Sequence, residues 1–366
     1  MKTPQIMTAK KIRVLVFGSS FGQFYLEAIR KLPFDFVLVG LFAKGSERSR
    51  KCAEIYNVPL LQNLHEINPQ DIDLACMVLR SGVMGGKGSE FACYCMEKGI
   101  HVLLEHPIHH SDLANCLRTA KVNAVHFGIG NLYQNLPAFQ RFAAVAKKIF
   151  LTKQDIYLDI ALATQVSYPL VQLMTAILPN ARPLHIQHVV KDALPFQLLS
   201  GTWAGYPFIM RAHNEVNPID PDNHRHLLHS IALVCSSGTL ALTDNHGPVV
   251  WKPQLHIPHQ ELLKDIATVE QLYERSTLIL GPETAPSYLE ILQQQWPNAI
   301  AQDLLAMKRR ILHKKTDASQ SAQQALLTAR LWHTLMEAMG PPTLKPDAVY
   351  EPQDSAALVN WAQAML

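Results

Sequence analysis

The chain has 366 residues, 48% of them apolar and 17% charged, and a formal net charge of +3. This length and apolar content predict a large core divided between two domains, and they exclude a disordered chain and a small disulfide-stapled module. Because the small positive charge is not concentrated in a dense block of lysine and arginine, the sequence also argues against nucleic-acid binding.

The sequence contains no segment that predicts membrane contact or export. Its longest apolar runs are about eight residues, whereas a bilayer span needs roughly 18 or more. The apolar run after the basic N-terminus, Ile12–Phe17, is too short for a signal-peptide core. The six cysteines lie mostly in apolar segments without zinc-type pairing, which indicates reduced core thiols. We therefore expect a cytoplasmic protein.

The first 130 residues alternate β-branched runs with helical patterns, as is typical of βαβ units. The predicted strands are Ile12–Phe17, Phe36–Phe42, Asp71–Leu79, His101–Leu104 and Ala124–Ile129. The predicted helices are Gly22–Leu32, Ser46–Tyr56, Gly88–Lys98 and Ser111–Val122. These elements predict a doubly wound parallel sheet, whose ligands bind beyond the carboxyl ends of the strands.

The pattern changes after residue 130. A predicted helix, Phe139–Phe150, leads into strand-like stretches that lack regular intervening helices. These stretches are Ile156–Ala163, Leu184–Val190, Tyr206–Ala212, Leu227–Val234 and Thr239–Thr243, and the later predicted helices are Pro286–Gln295, Ala299–His313 and Ser319–Met339. We expect an α/β fold, with a doubly wound sheet in residues 1–130 and an α+β substrate-binding domain with a mostly antiparallel open sheet in residues 131–366.

A glycine turn follows the first predicted strand and opens the first predicted helix. Gly18, Ser19, Ser20, Phe21 and Gly22 occupy the position where a Rossmann fold holds a dinucleotide pyrophosphate with backbone N–H groups. The spacing departs from G-x-G-x-x-G, and a glycine turn made for packing alone is the alternative interpretation.

The end of the second predicted strand favours NADPH over NADH. An NAD site places an acidic residue there to bind the ribose 2′-hydroxyl, but this chain has Ala43 and Lys44. The hydroxyls and guanidiniums that follow suit a 2′-phosphate, and they belong to Ser46, Arg48, Ser49 and Arg50. A capped, solvated helix start is the alternative.

A glycine-rich loop, Arg80–Gly88, follows the third predicted strand. Such backbone can approach a cofactor or a bulky substrate closely, so we expect Arg80 and Ser81 at the cofactor site. An ordinary flexible loop is the alternative.

Two candidate proton donors follow the last two strands of this sheet. Glu105 and His106 come directly after His101–Leu104, where an imidazole can protonate a substrate beside the nicotinamide. Tyr133 follows Ala124–Ile129. We predict that Glu105 and His106 contact the cofactor and that His106 and Tyr133 are catalytic. The alternatives are a structural histidine and a core tyrosine.

Histidines at positions 224, 226 and 229 have a spacing that also occurs in metal sites. Tetrahedral sites need ligands that converge in space, and alternate residues of a strand can equally face solvent or a substrate groove. The sequence therefore predicts no metal site.

The glycine turn, the Glu105-His106-Pro107 tripeptide and the strand-rich second half together resemble the glucose-fructose oxidoreductase and inositol dehydrogenase (Gfo/Idh/MocA) superfamily. That superfamily usually has a lysine at the position of His106, where it commonly moves protons at sugar hydroxyls. The replacement disfavours a sugar dehydrogenase.

The sequence is more closely similar to the thiazolinyl imine reductases of yersiniabactin- and pyochelin-type siderophore assembly. The segments that carry this resemblance are Gly18-x-x-Phe21-Gly22-x-x-Tyr25, Gly45-Ser46-x-Arg48-Ser49-Arg50, Arg80-Ser81, Gly85-Gly86-x-Gly88, Glu105-His106-Pro107, Tyr133, Asp220-Pro221-Asp222 and Gly247-Pro248-Val249-Val250-Trp251. The resemblance implies that NADPH reduces a thiazoline C=N bond, with His106 and Tyr133 as candidate acids. It also implies a substrate tethered to a carrier-protein domain of a nonribosomal peptide synthetase, and a homodimer.

Two other functions remain open at this point. An NADP-dependent sugar or polyol dehydrogenase would keep the fold and change the substrate. A non-catalytic NADP(H)-sensing regulatory protein would need the glycine turn and the basic cluster but no acid.

Overall fold

The computed structural model describes residues 10–81, 86–152, 154–191, 195–223, 225–259, 274–312, 318–346 and 353–364. Residues 82–85 of the predicted glycine-rich loop and His224 of the histidine-rich stretch lie outside these ranges.

Six parallel strands of the described chain form the first sheet, in the order β3-β2-β1-β4-β5-β6. The strands are β1 (Ile12–Phe17), β2 (Phe36–Phe42), β3 (Leu60–Leu61), β4 (Leu74–Met77), β5 (His101–Leu104) and β6 (Phe127–Ile129). The helices that connect them are α1 (Gly22–Arg30), α2 (Glu47–Ile55), α3 (Gly88–Glu97) and α4 (His110–Val122). This strand order confirms the predicted doubly wound Rossmann sheet, which places ligands beyond the carboxyl ends of β1, β4 and β5.

Two predicted strands of this sheet are shorter than the sequence suggests. Asp71 lies in a 3₁₀ turn that Asn68 caps, so β4 begins only at Leu74. Ala124 has a φ of 52°, in the left-handed region that a strand does not use, and β6 begins at Phe127. Apolar composition alone does not reveal these turn conformations.

The second sheet follows helix α5 (Pro137–Phe150) and has the order β15-β14-β13-β12-β7-β10-β9-β8 in the described chain. Its strands are β7 (Ile156–Ala163), β8 (Leu184–Val190), β9 (Phe196–Trp203), β10 (Tyr206–His213), β12 (His229–Cys235), β13 (Gly238–Leu242), β14 (Val249–Pro253) and β15 (Leu278–Ile279). Only the β7–β10 pair of these described strands is parallel, which confirms a mostly antiparallel sheet.

One helix contradicts the prediction that this region has no regular helix between its strands. Helix α6 (Ser167–Ile177) lies between β7 and β8, where the sequence predicts no regular helix. Nearly all of its side chains are buried, so it lacks the polar face that marks an amphipathic helix.

The C-terminal helices pack back onto both sheets. A short helix α7 (Tyr288–Glu290) continues through a π-helical turn, Ile291–Gln295, into α8 (Trp296–Leu312), which packs against α1. Helix α9 (Ala318–Met339) packs against α4 and α6. The small pair β11 (Glu215–Val216) and β16 (Thr343–Leu344) and helix α10 (Ser355–Gln363) complete the fold. The division at residue 130 stays a prediction.

A membrane-crossing helix would need to be long and apolar, and none of the helices in the described ranges qualifies.

Candidate active site

The glycine turn has a backbone that requires glycine. Gly18 has a φ of +91°, and a Cβ there would lie 2.4 Å from the carbonyl oxygen of Val78. The turn leads into α1, whose N-cap residue Phe21 makes no capping hydrogen bond through its side chain. The N–H of Phe24 donates to the carbonyl oxygen of Phe21, so the N–H groups of Gly22 and Gln23 are the ones available to an anion such as a dinucleotide phosphate.

Arg48 brings a positive charge to this turn. Its Nε donates to the carbonyl oxygen of Ser19 at 3.3 Å, and its Nη2 donates to that of Ser20 at 3.4 Å. No carboxylate of the described residues forms an ion pair with Arg48. A guanidinium held beside the turn suits a phosphate group.

The other three members of the predicted phosphate cluster have different surroundings. Ser46 is the N-cap of α2 and accepts a hydrogen bond from the backbone of Ser49. Ser49 is fully buried, and its hydroxyl donates to the carbonyl oxygen of Ser46 at 2.8 Å. Arg50 lines a separate surface cavity with Ala53 and Glu54. Their cofactor contacts stay predictions, and the contacts observed for Ser46 and Ser49 suit a capped helix start.

The loops that follow β4 and β5 are joined to each other. The hydroxyl of Ser81 donates to the carbonyl oxygen of Pro107 at 2.8 Å, and Ser81 is buried. The carbonyl oxygen of Arg80 accepts the backbone N–H of Gly88 at 2.9 Å. Ser81 thus fixes the loop that carries His106, and contacts of Arg80 and Ser81 with a cofactor stay predictions.

Glu105 lies beneath His106 and is held from two sides. The hydroxyl of Tyr25 donates to Oε2 of Glu105, and Oε1 of Glu105 lies 3.0 Å from Nδ1 of His106. Burial, followed by the charge of Glu105, raises the pKa of Tyr25 well above its usual value, so the phenol stays protonated as a donor. Nδ1 of His106 makes no hydrogen bond in the described chain, so Glu105 acts on the His106 ring through this close contact rather than through a hydrogen bond. Its predicted contact with the cofactor stays a prediction.

His106 and Tyr133 lie in one row of rings. The centroid of His106 is 6.1 Å from that of Tyr133 and 5.9 Å from that of Tyr168, whose ring is nearly parallel to the imidazole at 7°. Tyr133 in turn meets His229 edge to face at 5.5 Å. The structure thus brings the two predicted catalytic residues together.

Burial keeps two members of this row, Tyr133 and His229, neutral. It raises the pKa of Tyr133 well above the usual value for a phenol. It lowers the pKa of His229 to about 4, and Nε2 of that ring donates to the carbonyl oxygen of Val166 at 2.7 Å. In the described chain nothing hydrogen-bonds to the hydroxyl of Tyr133, which leaves a protonated phenol free to face a substrate.

A buried acid lies behind the row. Asp303 of α8 accepts hydrogen bonds from the backbone of Asn131 at 2.8 Å and from Nδ2 of Asn135 at 3.0 Å. Burial raises the pKa of Asp303 to about 6. These bonds fix the segment that carries Tyr133 to α8.

The second sheet reaches the glycine turn through aromatic and polar contacts. Trp296 packs on Phe21 with ring centroids 5.7 Å apart, and its Nε1 donates to Nε2 of His246 at 3.1 Å. Asn245, the neighbour of His246, lies 2.9 Å from Nδ1 of His229. The turn between β13 and β14 therefore lies beside both the glycine turn and the ring row, so the candidate site lies where the two sheets meet, a region we call the crevice.

The sequence analysis missed four residues of this site. Tyr168 lies in the unpredicted helix α6, and Asn245 and Asp303 belong to no motif. His229 was considered only as part of a metal-like spacing. Its true neighbours are 16 and 63 positions away along the chain, so no local pattern could identify its role.

Two family models match the chain. The NAD-binding Rossmann fold of the GFO_IDH_MocA oxidoreductase family matches residues 12–131, and the C-terminal domain of Irp3-like thiazolinyl imine reductases matches residues 153–252. No curated protein sequence matches the chain.

Solved structures with the same fold have low sequence identity. A 3-ketoreductase from Actinomadura kijaniata in complex with NADP and TDP-benzene has a TM-score of 0.66 at 12% identity, over 92% of this chain and 99% of that one. A dehydrogenase from Chromobacterium violaceum has a TM-score of 0.63 at 14% identity, over 98% of this chain and 100% of that one. A UDP-N-acetylglucosamine 3-dehydrogenase from Acidithiobacillus ferrooxidans has a TM-score of 0.61 at 13% identity, over 90% and 99%.

These structures show the fold alone, whereas the two family models describe the two halves of the site. The first includes the glycine turn, His106 and Asn131, and the second includes His229 and Asn245. The chain therefore combines a Rossmann domain of the Gfo/Idh/MocA oxidoreductase family, over residues 12–131, with the C-terminal domain of the Irp3-like thiazolinyl imine reductases, over residues 153–252.

Proposed function

We propose that this oxidoreductase reduces the C=N bond of a thiazoline ring to a thiazolidine, in a siderophore precursor tethered to a carrier protein, with NADPH as the reductant. The observation that carries the proposal is the ring row. His106 comes from the first matched segment, Tyr168 and His229 come from the second, and Tyr133 lies in the stretch between the two segments. His106 stands where sugar-oxidising relatives commonly have lysine, and His229 belongs to the thiazolinyl imine reductase domain.

The residues at the glycine turn fit a phosphorylated dinucleotide. The N-terminus of α1 would hold the pyrophosphate, and Arg48 would hold the 2′-phosphate, since β2 ends in Ala43 and Lys44 rather than in an acidic residue. When bound, NADPH supplies a hydride to the carbon of the C=N bond.

The protein supplies the proton that the ring nitrogen needs. Reduction of the C=N carbon would leave an electron pair on the ring nitrogen, and Tyr133 or His106 would donate the proton that this nitrogen takes up. Tyr133 keeps its proton at neutral pH because burial raises its pKa, and His106 is oriented by Glu105 and by the Tyr168 ring. A positioned acid contributes roughly 10²–10⁴-fold to such a step.

A cationic cavity supports the proposal that the substrate is tethered to a carrier protein. It has a volume of about 1340 Å³, and Tyr168, which stacks on His106, forms part of its wall. Its basic residues are Arg118, Lys121, Lys147 and Arg310, and no Asp or Glu of the described chain lines it. We infer that this cavity receives the phosphodiester of a carrier-protein phosphopantetheine arm, whose negative charge it complements.

We also infer a homodimer in the cytoplasm. The face of the second sheet exposes Leu198, Ile209 and Val234, and an apolar sheet face is a suitable surface for a second copy. Sedimentation equilibrium tests the dimer, since Ile209→Glu is expected to give a monomer and a monomeric parent chain would overturn it.

A single-turnover assay tests the proposed reaction. The enzyme is mixed with NADPH and with a carrier-bound thiazoline thioester, and the thiazolidine is identified by mass spectrometry. The proposal expects reduction of this substrate and no NADP⁺-dependent oxidation of free polyols. Polyol oxidation without thiazoline reduction would favour the dehydrogenase, and tight NADPH binding without any turnover would favour a sensor.

A further inference from the structure

Three histidines outside the crevice converge at the junction of α4 and α9. One ring nitrogen of each of His109, His110 and His333 lies within 4.8 Å of the nitrogens of the other two. The ring centroids are 4.1 Å apart for His109 and His110, 5.3 Å for His109 and His333, and 4.9 Å for His110 and His333. Neutral imidazole is the commonest protein ligand of transition metals, and three histidines with an open fourth position can bind Zn²⁺.

The surroundings of the cluster favour metal binding over simple packing. Nδ1 of His110 is buried and has no hydrogen-bond partner in the described chain, so a buried nitrogen is left with an unused lone pair or proton. Nδ1 of His109 lies 2.8 Å from the hydroxyl of Ser111 and accepts the backbone N–H of Ser111 at the longer distance of 3.4 Å. Metal binding at Nε2 requires the tautomer in which Nδ1 carries the proton and donates to the Ser111 hydroxyl in place of the longer contact. The carboxylate of Glu337 lies 3.2 Å from Nε2 of His333 and adds a negative charge beside the cluster.

We propose that His109, His110 and His333 form a binding site for a divalent transition metal such as Zn²⁺. The sequence analysis predicts no metal because His333 is far along the chain from the other two ligands and only the packing of α9 against α4 brings it near. The proposed site is separate from the crevice, and it stands or falls independently of the proposed reaction.

The location of the site gives a bound metal a structural consequence. His109 is in the loop that begins at His106, so a metal would tie this loop to α9. On α9, the residue next to His333 is Trp332, which packs edge to face on Tyr168 at 5.4 Å. Tyr168 in turn stacks on His106. The site therefore connects to the ring row both along the chain and through packing.

Metal titration tests the proposal directly. The full-length protein is stripped with a chelator and titrated with Zn²⁺ against a chromophoric competitor, and Co²⁺ serves as a spectroscopic probe. We expect one tight equivalent per chain, an intense visible spectrum of the kind given by a four-coordinate Co²⁺ site, and a rise in the thermal midpoint with Zn²⁺.

Three variants test which residues form this site. His333→Ala lies on a partly exposed helix face, and it is expected to lose the tight equivalent, the Co²⁺ spectrum and the thermal shift while retaining its circular dichroism. His65→Ala, at an exposed histidine in the first domain, is expected to keep all three. Ser111→Ala is expected to weaken Zn²⁺ by about 10-fold. Equal stoichiometry and equal spectra for His333→Ala and the parent chain would overturn the proposal.

Discussion

His106 and Tyr133 come from different parts of the fold and face each other with ring centroids 6.1 Å apart. His106 follows β5 of the first sheet, whereas Tyr133 lies in the segment that leads toward the second. Because Asn131 and Asn135 tie this segment to Asp303, the position of Tyr133 is set by α8 as well as by its own backbone. The pair therefore marks where the two halves of the protein meet.

The paired acids predict a non-additive loss of rate. We expect the double variant His106→Ala and Tyr133→Phe to lose roughly 10²–10⁴-fold in the single-turnover rate while still binding NADPH. Each single variant should lose less where the other residue can protonate the nitrogen. Rapid-mixing measurements check this, and an unchanged rate in the double variant would remove both residues from the acid role.

The stacked ring of Tyr168 predicts opposite effects for two substitutions. Its hydroxyl is buried without a hydrogen-bond partner in the described chain, so Tyr168→Phe should keep the stack on His106, and its free energy of unfolding should equal that of the parent chain or be higher by up to about 1 kcal/mol. Tyr168→Ala should cost about 3–5 kcal/mol and lower the rate. Urea unfolding measures both, and a strongly destabilised Tyr168→Phe would show that the hydroxyl has a partner.

Arg48 and Arg50 are predicted to differ as cofactor ligands. Arg48 lies on the glycine turn, whereas Arg50 lines a separate cavity. Arg48→Ala should weaken NADPH at least about 10-fold more than NADH, because a lost charge-assisted contact to the 2′-phosphate is worth roughly 1.5–3 kcal/mol. Arg50→Ala tests the second predicted arginine contact, and it should weaken NADPH less than Arg48→Ala does, because Arg50 lines the separate cavity. Calorimetric titration compares them, and equal losses of NADPH and NADH in Arg48→Ala would contradict the assignment.

Asp303 predicts a pH-dependent stability with a definite sign. Burial raises its pKa to about 6, above the value near 3.9 expected in the unfolded chain. The folded state therefore holds this proton more tightly, and the resulting stabilisation, complete below about pH 4, is lost as the pH rises through 6. The parent chain should lose on the order of 2–3 kcal/mol relative to Asp303→Asn between pH 4 and pH 7.

Urea unfolding of both proteins across this pH range measures the difference. A difference in unfolding free energy that stays constant with pH would show that Asp303 titrates at its ordinary value.

The cationic cavity predicts that charge reversal in its lining raises KM for a carrier-bound substrate but not for a free one. Arg118→Glu and Lys121→Glu place negative charge in its lining, so they should raise KM for a carrier-bound thiazoline by roughly 10-fold or more. They should leave KM for a small free thiazoline thioester unchanged, because that molecule lacks the phosphodiester. Steady-state kinetics with the two substrates check this, and equal effects on both would place the tether elsewhere.

The sequence predicts the first sheet well because its signals are local. The predicted bounds of β1, β2 and β5 match the observed ones, since each is a β-branched or apolar run that ends at a glycine or at a polar turn. Strand β9 was not predicted, because it contains Gly201 and a glycine inside a strand pattern usually indicates an interruption of the strand. A Cβ at Gly201 would lie within 2 Å of the carbonyl oxygen of His185, so this glycine serves the close approach of β8.

The site was only partly predictable for a related reason. His106 and Tyr133 follow strands and can be assigned to a sheet edge from the sequence. Packing between elements that are far apart in the chain determines the roles of His229, Tyr168 and Asp303. The residues next to each of them in the sequence do not predict such contacts. The metal-like spacing at His226 and His229 misleads for the same reason, because His229 turns inward to Val166 and His226 packs against His213.

Isotope transfer tests the central claim most directly. The enzyme is incubated with NADPH that carries two deuterium atoms at C4 of the nicotinamide and with a carrier-bound thiazoline, and the released thiazolidine is examined by mass spectrometry and NMR. We predict one deuterium on the former C=N carbon and none on nitrogen after exchange into ordinary water. A product that carries no deuterium, or an enzyme that leaves the thiazoline intact, would contradict the account.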